Sequence, residues 1–243
     1  MIISVGIIGY TGRMGQAIAR TVETHSAASL AGGLTRTTPV GGKDNRPFIV
    51  TDKPEELFPE CDVLIDFSHA SATSHYAQIA AQYGKPFLSG TTGLDKDSLA
   101  ALHEVSAKIP VLYTTNTSLS LVVVKQMARV AARLLKDQDY DVSILDKHHR
   151  WKKDAPSGTA LTLGKAVLEG NDGKHPPVYS SIRSGAIVGE HDILFAGTGE
   201  NITIQHVVTD RRVFARGAVQ AALWLAGQKP GYYIMDDVLE IGG

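Results

Sequence analysis

The sequence predicts an α/β protein, a doubly wound parallel sheet joined to a second α+β domain built on a mostly antiparallel sheet. Three observations lead there. The first 117 residues alternate short β-rich and helical stretches. An apolar strand pattern at the N-terminus runs directly into a glycine turn and a helix. After residue 180 the β-like segments follow one another with turn signals, not helices, between them.

In chain order, residues 2–8 are nearly all apolar, as a strand buried on both faces requires, and a helix with Met14, Ala17, Ile18 and Val22 on one face follows the turn. Strands are expected at 28–34, 62–68, 85–89 and 110–116. Helices are expected at 70–83 and at 94–108, the latter starting near Asp95. A Pro/Gly-rich loop fills 37–47. Residues 119–135 show helical spacing with Arg129 and Arg133 on the polar side, a strand covers 140–145, and a helix covers 157–169. Strands at 181–188, 191–196 and 201–209 then precede a strong helix over 213–228.

Composition bounds the function. With 24 Lys+Arg against 25 Asp+Glu there is no overall field to attract nucleic acid or anionic lipid, so neither is an expected partner. No stretch is apolar enough to span a membrane and none has a targeting composition, so the cytoplasm is expected. The single cysteine, Cys61, lies beside an apolar run and reads as a buried, inert thiol.

Gly9-Tyr10-Thr11-Gly12-Arg13-Met14-Gly15 sits where a first strand meets a helix. There glycines let backbone N–H groups approach a pyrophosphate. The G-x-x-G-x-x-G spacing is weaker than the commoner G-x-G-x-x-G, and its place in the chain strengthens it. Thr35-Arg36 ends the second strand, where an acid would hold the ribose of NAD. An arginine there suits the 2'-phosphate, so NADPH is expected to be preferred, with NADH also used. Ser68-His69, Gly90-Thr91-Thr92-Gly93 and Thr114-Thr115-Asn116-Thr117 fall at other carboxyl ends of strands, the edge where such sheets bind ligands.

The densest chemistry lies at 146–160, with His148, His149, Arg150, Lys152 and Lys153 ahead of Pro156-Ser157-Gly158-Thr159. Adjacent histidines in a strand face opposite sides, and no Cys, Asp or Glu at ligand spacing completes a site, so no metal is expected. A Ser157–Lys152 hydrolase pair is disfavoured because Ser-Gly-Thr after a proline reads as a helix start. That helix start, with the Thr159 hydroxyl and the lysines, suits an anionic substrate bearing a carboxylate, beside a histidine able to give up a proton near neutral pH.

The block His148-His149-Arg-Trp-Lys152-Lys-Asp-Ala-Pro-Ser-Gly158-Thr159-Ala resembles the signature of the 4-hydroxy-tetrahydrodipicolinate reductases, the dihydrodipicolinate reductase family of bacterial lysine and diaminopimelate biosynthesis. The likeness extends over the chain: Gly12-Arg-Met-Gly15, Asp66-Phe-Ser68, Gly90-Thr-Thr-Gly93, Ile187-Val-Gly-Glu-His191 and Phe214-Ala-Arg-Gly-Ala218 occur in order. The resemblance implies NAD(P)H-dependent reduction of a cyclic imine dicarboxylate, with hydride added at ring C4. His148 would be the general acid, Lys152 a proton donor that also steadies the substrate, and His149, Gly158 and Thr159 carboxylate holders. It further implies a Rossmann-like nucleotide domain from 1–117 plus 211–243, a substrate and oligomerisation domain from 118–210, and a homotetramer.

Two departures stand out. Asn116-Thr-Ser-Leu-Ser-Leu-Val122 lacks the aromatic, the glycine and the second asparagine common in the family, and Thr35 replaces an acid found in many relatives. The residues alone also admit another two-domain NAD(P)-dependent dehydrogenase, or a non-catalytic NADP-binding sensor.

Overall fold

The computed structural model describes residues 1–36 and 48–240; the expected loop at 37–47 lies outside them. In order the elements are β1 (Ile3–Ile8), α1 (Arg13–Glu23), β2 (Ala28–Leu34), β3 (Ile49–Thr51), α2 (Pro54–Leu57), β4 (Val63–Asp66), α3 (Ala70–Gln82), β5 (Phe87–Ser89), α4 (Lys96–Ser106) and β6 (Pro110–Tyr113). There follow α5 (Leu119–Leu135), β7 (Tyr140–His148), α6 (Gly158–Gly170), β8 (Val178–Arg183), β9 (Gly189–Gly197), β10 (Asn201–Val208), α7 (Arg212–Leu225), β11 (Gly231–Tyr233) and α8 (Met235–Val238).

Packing divides the chain into two units, Met1–Thr117 with Phe214–Gly243, and Ser118–Val213. The division falls within the first turn of α7, three residues beyond the boundary expected from the sequence.

The first unit holds, among the described residues, a seven-stranded sheet in the order β11-β6-β5-β4-β1-β2-β3, parallel at every pairing. Strands in such sheets are covered on both faces, which is why Val63–Asp66 is buried at every position and lacks alternation. The strand order reverses between β1 and β4, so the connections leaving their carboxyl ends run to opposite faces of the sheet and open a crevice. Cys61 is buried behind this sheet, its thiol donating to Leu57 O, and burial pushes it up to about 12, so it stays an unreactive thiol at neutral pH.

The second unit is a four-stranded sheet ordered β10-β9-β7-β8 among the described residues. β7 runs parallel to β8 and antiparallel to β9, and β9 is antiparallel to β10. The parallel β7–β8 pair needs a crossover, and α6 supplies it. One face is covered: Val142, Ile144, Ile193 and Phe195 pack with Leu121, Val124 and Ala128 of α5 and Ala160, Leu163 and Val167 of α6. Side-chain N-caps start both helices, Ser118 accepting from Leu121 N–H and Ser157 from Ala160 N–H. On the polar side of α5, Arg129 pairs with Glu169 at 2.6 Å and Arg133 is exposed.

Several expectations need correction. β7 runs on to His148, three residues past the expected end at 145, and His149 lies beyond it. β8 begins at Val178 and stops at Arg183, where the expected strand ran to 188. It follows β7 in parallel register, and Gly185, at φ 51, turns the chain beyond it. β3 and β11 were not expected; three residues are too few to show a period.

Candidate active site

In the first unit the turn after β1 is held by its glycines. Gly9 has φ 81, and a Cβ there would stand 2.5 Å from Phe67 O, so only glycine lets this turn lie against the β4 loop. Gly12, N-cap of α1, donates its N–H to Gly9 O and leaves the start of the helix facing the sheet edge. An open groove of about 460 Å³ lies there, lined by Gly12, Arg13, Met14, Phe67, Ser68, His69, Ala70, Gly90, Thr91 and Thr92. The structure thus gathers six of the expected cofactor residues, Gly12, Arg13, Met14, Gly90, Thr91 and Thr92, onto one groove at the carboxyl ends of β1, β4 and β5.

The other expected cofactor residues differ in what they offer. The Tyr10 ring is buried against Gly33 and meets Phe48 edge-on, so backbone is what it presents to a ligand. Thr11 is exposed beside it. Arg36 is exposed just past the end of β2, and Thr35 is turned inward, its hydroxyl reaching Thr51 O at 3.4 Å. Thr114, Thr115, Asn116 and Thr117 follow β6 outside the groove lining. The Thr114 hydroxyl donates to Asn116 O, and the buried Thr117 donates to Phe214 O.

Asp66 was missed as a site residue. It is fully buried at the end of β4, where its carboxylate accepts from Thr73 Oγ1 (2.8 Å), Ser89 Oγ (2.9 Å), Thr91 Oγ1 (3.0 Å) and the Ser68 N–H (3.0 Å). Four donors from three segments tie the groove's two far walls to one carboxylate. Gly90 has a related task, since a Cβ there would stand 2.1 Å from the Phe67 ring.

In the second unit the strand register builds a polar row on the covered face. Asp146 of β7 is paired with Ser181 of β8 on one side and His191 of β9 on the other, and His191 is paired with His206 of β10. The two helix starts reach this row. Ser157 N–H donates to Asp146 Oδ2 (3.0 Å), Ser157 Oγ lies 3.3 Å from His191 Nε2, and Ser120 Oγ lies 3.2 Å from His206 Nε2.

His148 faces the same way as Asp146, as the two-residue period of a strand requires. It is buried, with its ring edge-on to His191 at 5.2 Å. His149 is past the strand and half-buried, its ring 5.8 Å from that of Trp151. Lys152 is half-buried and pairs with Asp154 at 2.8 Å. Gly158 opens α6 with nothing within 4 Å of where a Cβ would stand, so an anion can approach the first turn, and Thr159 is the half-buried next residue.

The electrostatics follow from burial. Burial alone would raise Asp146, but hydrogen bonds from Ser181, Arg183 and Ser157 outweigh it and hold it down to about 2. His191 is pushed down to about 4, first by burial and then by neighbouring His148 and His206. His148 is also lowered, by burial and then by Lys152, with Asp146 opposing.

Asp146, His148 and His191 bring ligand atoms within 4.8 Å of one another, a grouping the sequence concealed. The Arg183 guanidinium already occupies that place on the carboxylate, 3.1 Å from Asp146 Oδ2, and a cation beside it would be repelled.

Models of the dihydrodipicolinate reductase N-terminus and C-terminus match residues 3–117 and 120–239. The chain belongs to the dihydrodipicolinate reductase family. A 4-hydroxy-tetrahydrodipicolinate reductase of Gluconobacter oxydans is 43% identical over 251 residues, covering 97% of this chain and 96% of that one. One of Zymomonas mobilis is 38% identical over 255 residues, covering 98% and 97%. Among solved structures, a dipicolinate-bound dihydrodipicolinate reductase from Paenisporosarcina sp. TG-14 matches with a TM-score of 0.81 at 22% identity, covering 96% of this chain and 98% of that one. A Clostridium tetani meso-DAP dehydrogenase variant shares the fold more loosely, with a TM-score of 0.62 at 13% identity. Among the described residues no helix is long and apolar enough to cross a membrane.

Proposed function

We propose that this reductase-family chain is a 4-hydroxy-tetrahydrodipicolinate reductase of lysine and diaminopimelate biosynthesis, using NADPH in preference to NADH. The observation that carries the site assignment is that Asp146 Oδ2 holds the Ser157 N–H at the start of α6 and lies 3.3 Å from His148 Nδ1. A carboxylate-binding helix start and a proton-donating imidazole are thereby one construction.

The first unit serves as the nucleotide domain. Its groove fits a dinucleotide on two counts: the Gly9 turn allows close backbone approach, and the Ser68 hydroxyl is a buried polar group with no partner among the described residues. Gly9 to Met14 would hold the pyrophosphate, Gly90 to Thr92 and Thr114 to Thr117 the nicotinamide side, and Arg36 the 2'-phosphate. When bound, the reduced cofactor supplies the hydride that goes to ring C4 of the substrate.

The second unit serves the substrate. His149, Gly158 and Thr159 would hold carboxylate, with Lys152 as a second positive charge and proton donor. In the free protein His148 is lowered by burial and by Lys152, so it is largely neutral; two substrate carboxylates beside it favour the imidazolium and raise it toward working pH. His148 then protonates the enamine left by reduction. Val178, Ile182 and Val207 are exposed on the uncovered face of the second sheet, which supports assembly through this domain into a homotetramer. The cytoplasm is where such a biosynthetic enzyme would work.

The test is oxidation of NADPH at 340 nm with freshly generated hydroxytetrahydrodipicolinate. Turnover is expected, and a pure, folded protein without it refutes the reading in favour of another dehydrogenase or a non-catalytic sensor. Arg36→Ala should raise KM for NADPH about tenfold or more, the size expected on losing hydrogen bonds to a charged group. KM for NADH should hardly move; equal effects on both would reject the 2'-phosphate assignment.

A further inference from the structure

We infer that Asp146 is a positioning residue that sets the ring orientation and proton affinity of His148, an inference that rests on reading His148 as the general acid. Among the described residues His148 Nδ1 is buried without a hydrogen-bonding partner, and its ion-pair neighbour Asp146 Oδ2 stands 3.3 Å away but off the hydrogen-bond line. A proton arriving at Nδ1 meets a carboxylate already at ion-pair distance. Pairing through Nδ1 leaves Nε2 as the ring nitrogen free to give up a proton.

The carboxylate is held from every other side. Ser181 Oγ donates to Oδ1, Ser157 N–H donates to Oδ2, and Arg183 reaches Oδ1 at 3.3 Å and Oδ2 at 3.1 Å. Arg183 is itself tied back to Asp154 O at 2.6 Å. Asp146 is wholly buried and ionised, and so cannot turn away from the ring.

The opposite side of the ring is shaped to match. Gly189 lies one step beyond the Lys147–Glu190 pair of the antiparallel ladder and so comes beside His148; a Cβ there would stand 3.2 Å from His148 Nε2. The lack of a side chain at this position seats the ring.

The charged and titratable groups around His148 are Asp146 on its own strand, Lys152 and Asp154 on the following segment, Arg183 on β8 and His191 on β9. His191 is neutral at working pH. Lys152 and Arg183 lower His148, whereas Asp146 and Asp154 raise it. Asp146 is thus the buried, immobile source of negative potential that keeps the imidazolium accessible, and Arg183 limits how far it acts.

The direct test is an NMR titration of His148 Cε1 in full-length, ligand-free protein, assigned by comparison with His148→Gln. Asp146→Asn should move the His148 midpoint to lower pH, and Arg183→Gln should move it to higher pH. An unchanged or raised midpoint in folded Asp146→Asn overturns the inference. Should that variant not fold, an Arg183→Gln midpoint that fails to rise overturns it instead.

Turnover gives a second readout. The alkaline limb of the kcat/KM profile should move to lower pH in Asp146→Asn, costing about tenfold at pH 8 for each unit moved, and Asp146→Asn should add no loss in a His148→Gln background. Full additivity would mark Asp146 as merely structural. Because the NMR arm needs no substrate, a shifted midpoint in a protein without turnover would reject the reaction and leave the pairing intact.

Discussion

Replacing His148 by glutamine is expected to lower kcat about a hundredfold or more, the usual range for loss of a general acid. Glutamine retains a polar side chain of similar reach but has no titrating proton to give. His148 lies at the edge of the buried row and makes no hydrogen bond through Nδ1, so the fold should survive the change. NADPH binding should be unaltered, because every proposed nucleotide contact lies in the other unit. Steady-state kinetics with a thermal melt as control decide the matter. Wild-type turnover in a folded His148→Gln protein would remove the histidine from the mechanism.

The second large effect is on stability. A histidine in the unfolded chain titrates near 6.5, whereas His191 in the fold is pushed down to about 4 by burial and its histidine neighbours. Between these values the unfolded state binds the extra proton. The stability contributed by neutral His191 is therefore fully present above pH 6.5 and is lost as pH falls toward 4. At about 1.4 kcal/mol per pH unit the loss totals about 3 kcal/mol. His148 and His206 are lowered by burial too and act in the same direction.

Urea unfolding at steps from pH 7.5 to 4 should show this decline, with the part above about pH 5 lying clear of the range where ordinary carboxylates titrate. His191→Gln should flatten much of it. A wild-type protein equally stable at pH 7.5 and pH 4.5 would contradict a buried neutral His191.

The first unit was legible because its signal is local. The Gly9 to Gly15 turn, the apolar strand before it and the strand-end loops can be read from adjacent residues, and the groove at β1, β4 and β5 gathers three of those loops. The role of Asp66 is hidden in its motif, since the donors Ser89 and Thr91 reach it only through the parallel β4–β5 register.

The second unit was legible at its motif and illegible around it. Asp146, Arg183, His191 and His206 lie on separate strands up to 60 positions apart in sequence, and nothing but strand register joins them. A single polar residue inside an alternating strand resembles noise until its cross-strand neighbours are known. One signal was available: His191 and His206 each take an inward position in a strand whose other inward residues include isoleucine.

The central claim is reduction of the ring at C4, and transferred deuterium tests it most directly. With NADPH carrying deuterium at the transferable position of its nicotinamide ring, one deuterium should appear at C4 of the product tetrahydrodipicolinate, by NMR or by mass spectrometry of a trapped derivative. Deuterium retained in the cofactor, released to water or found at another ring carbon would contradict the account.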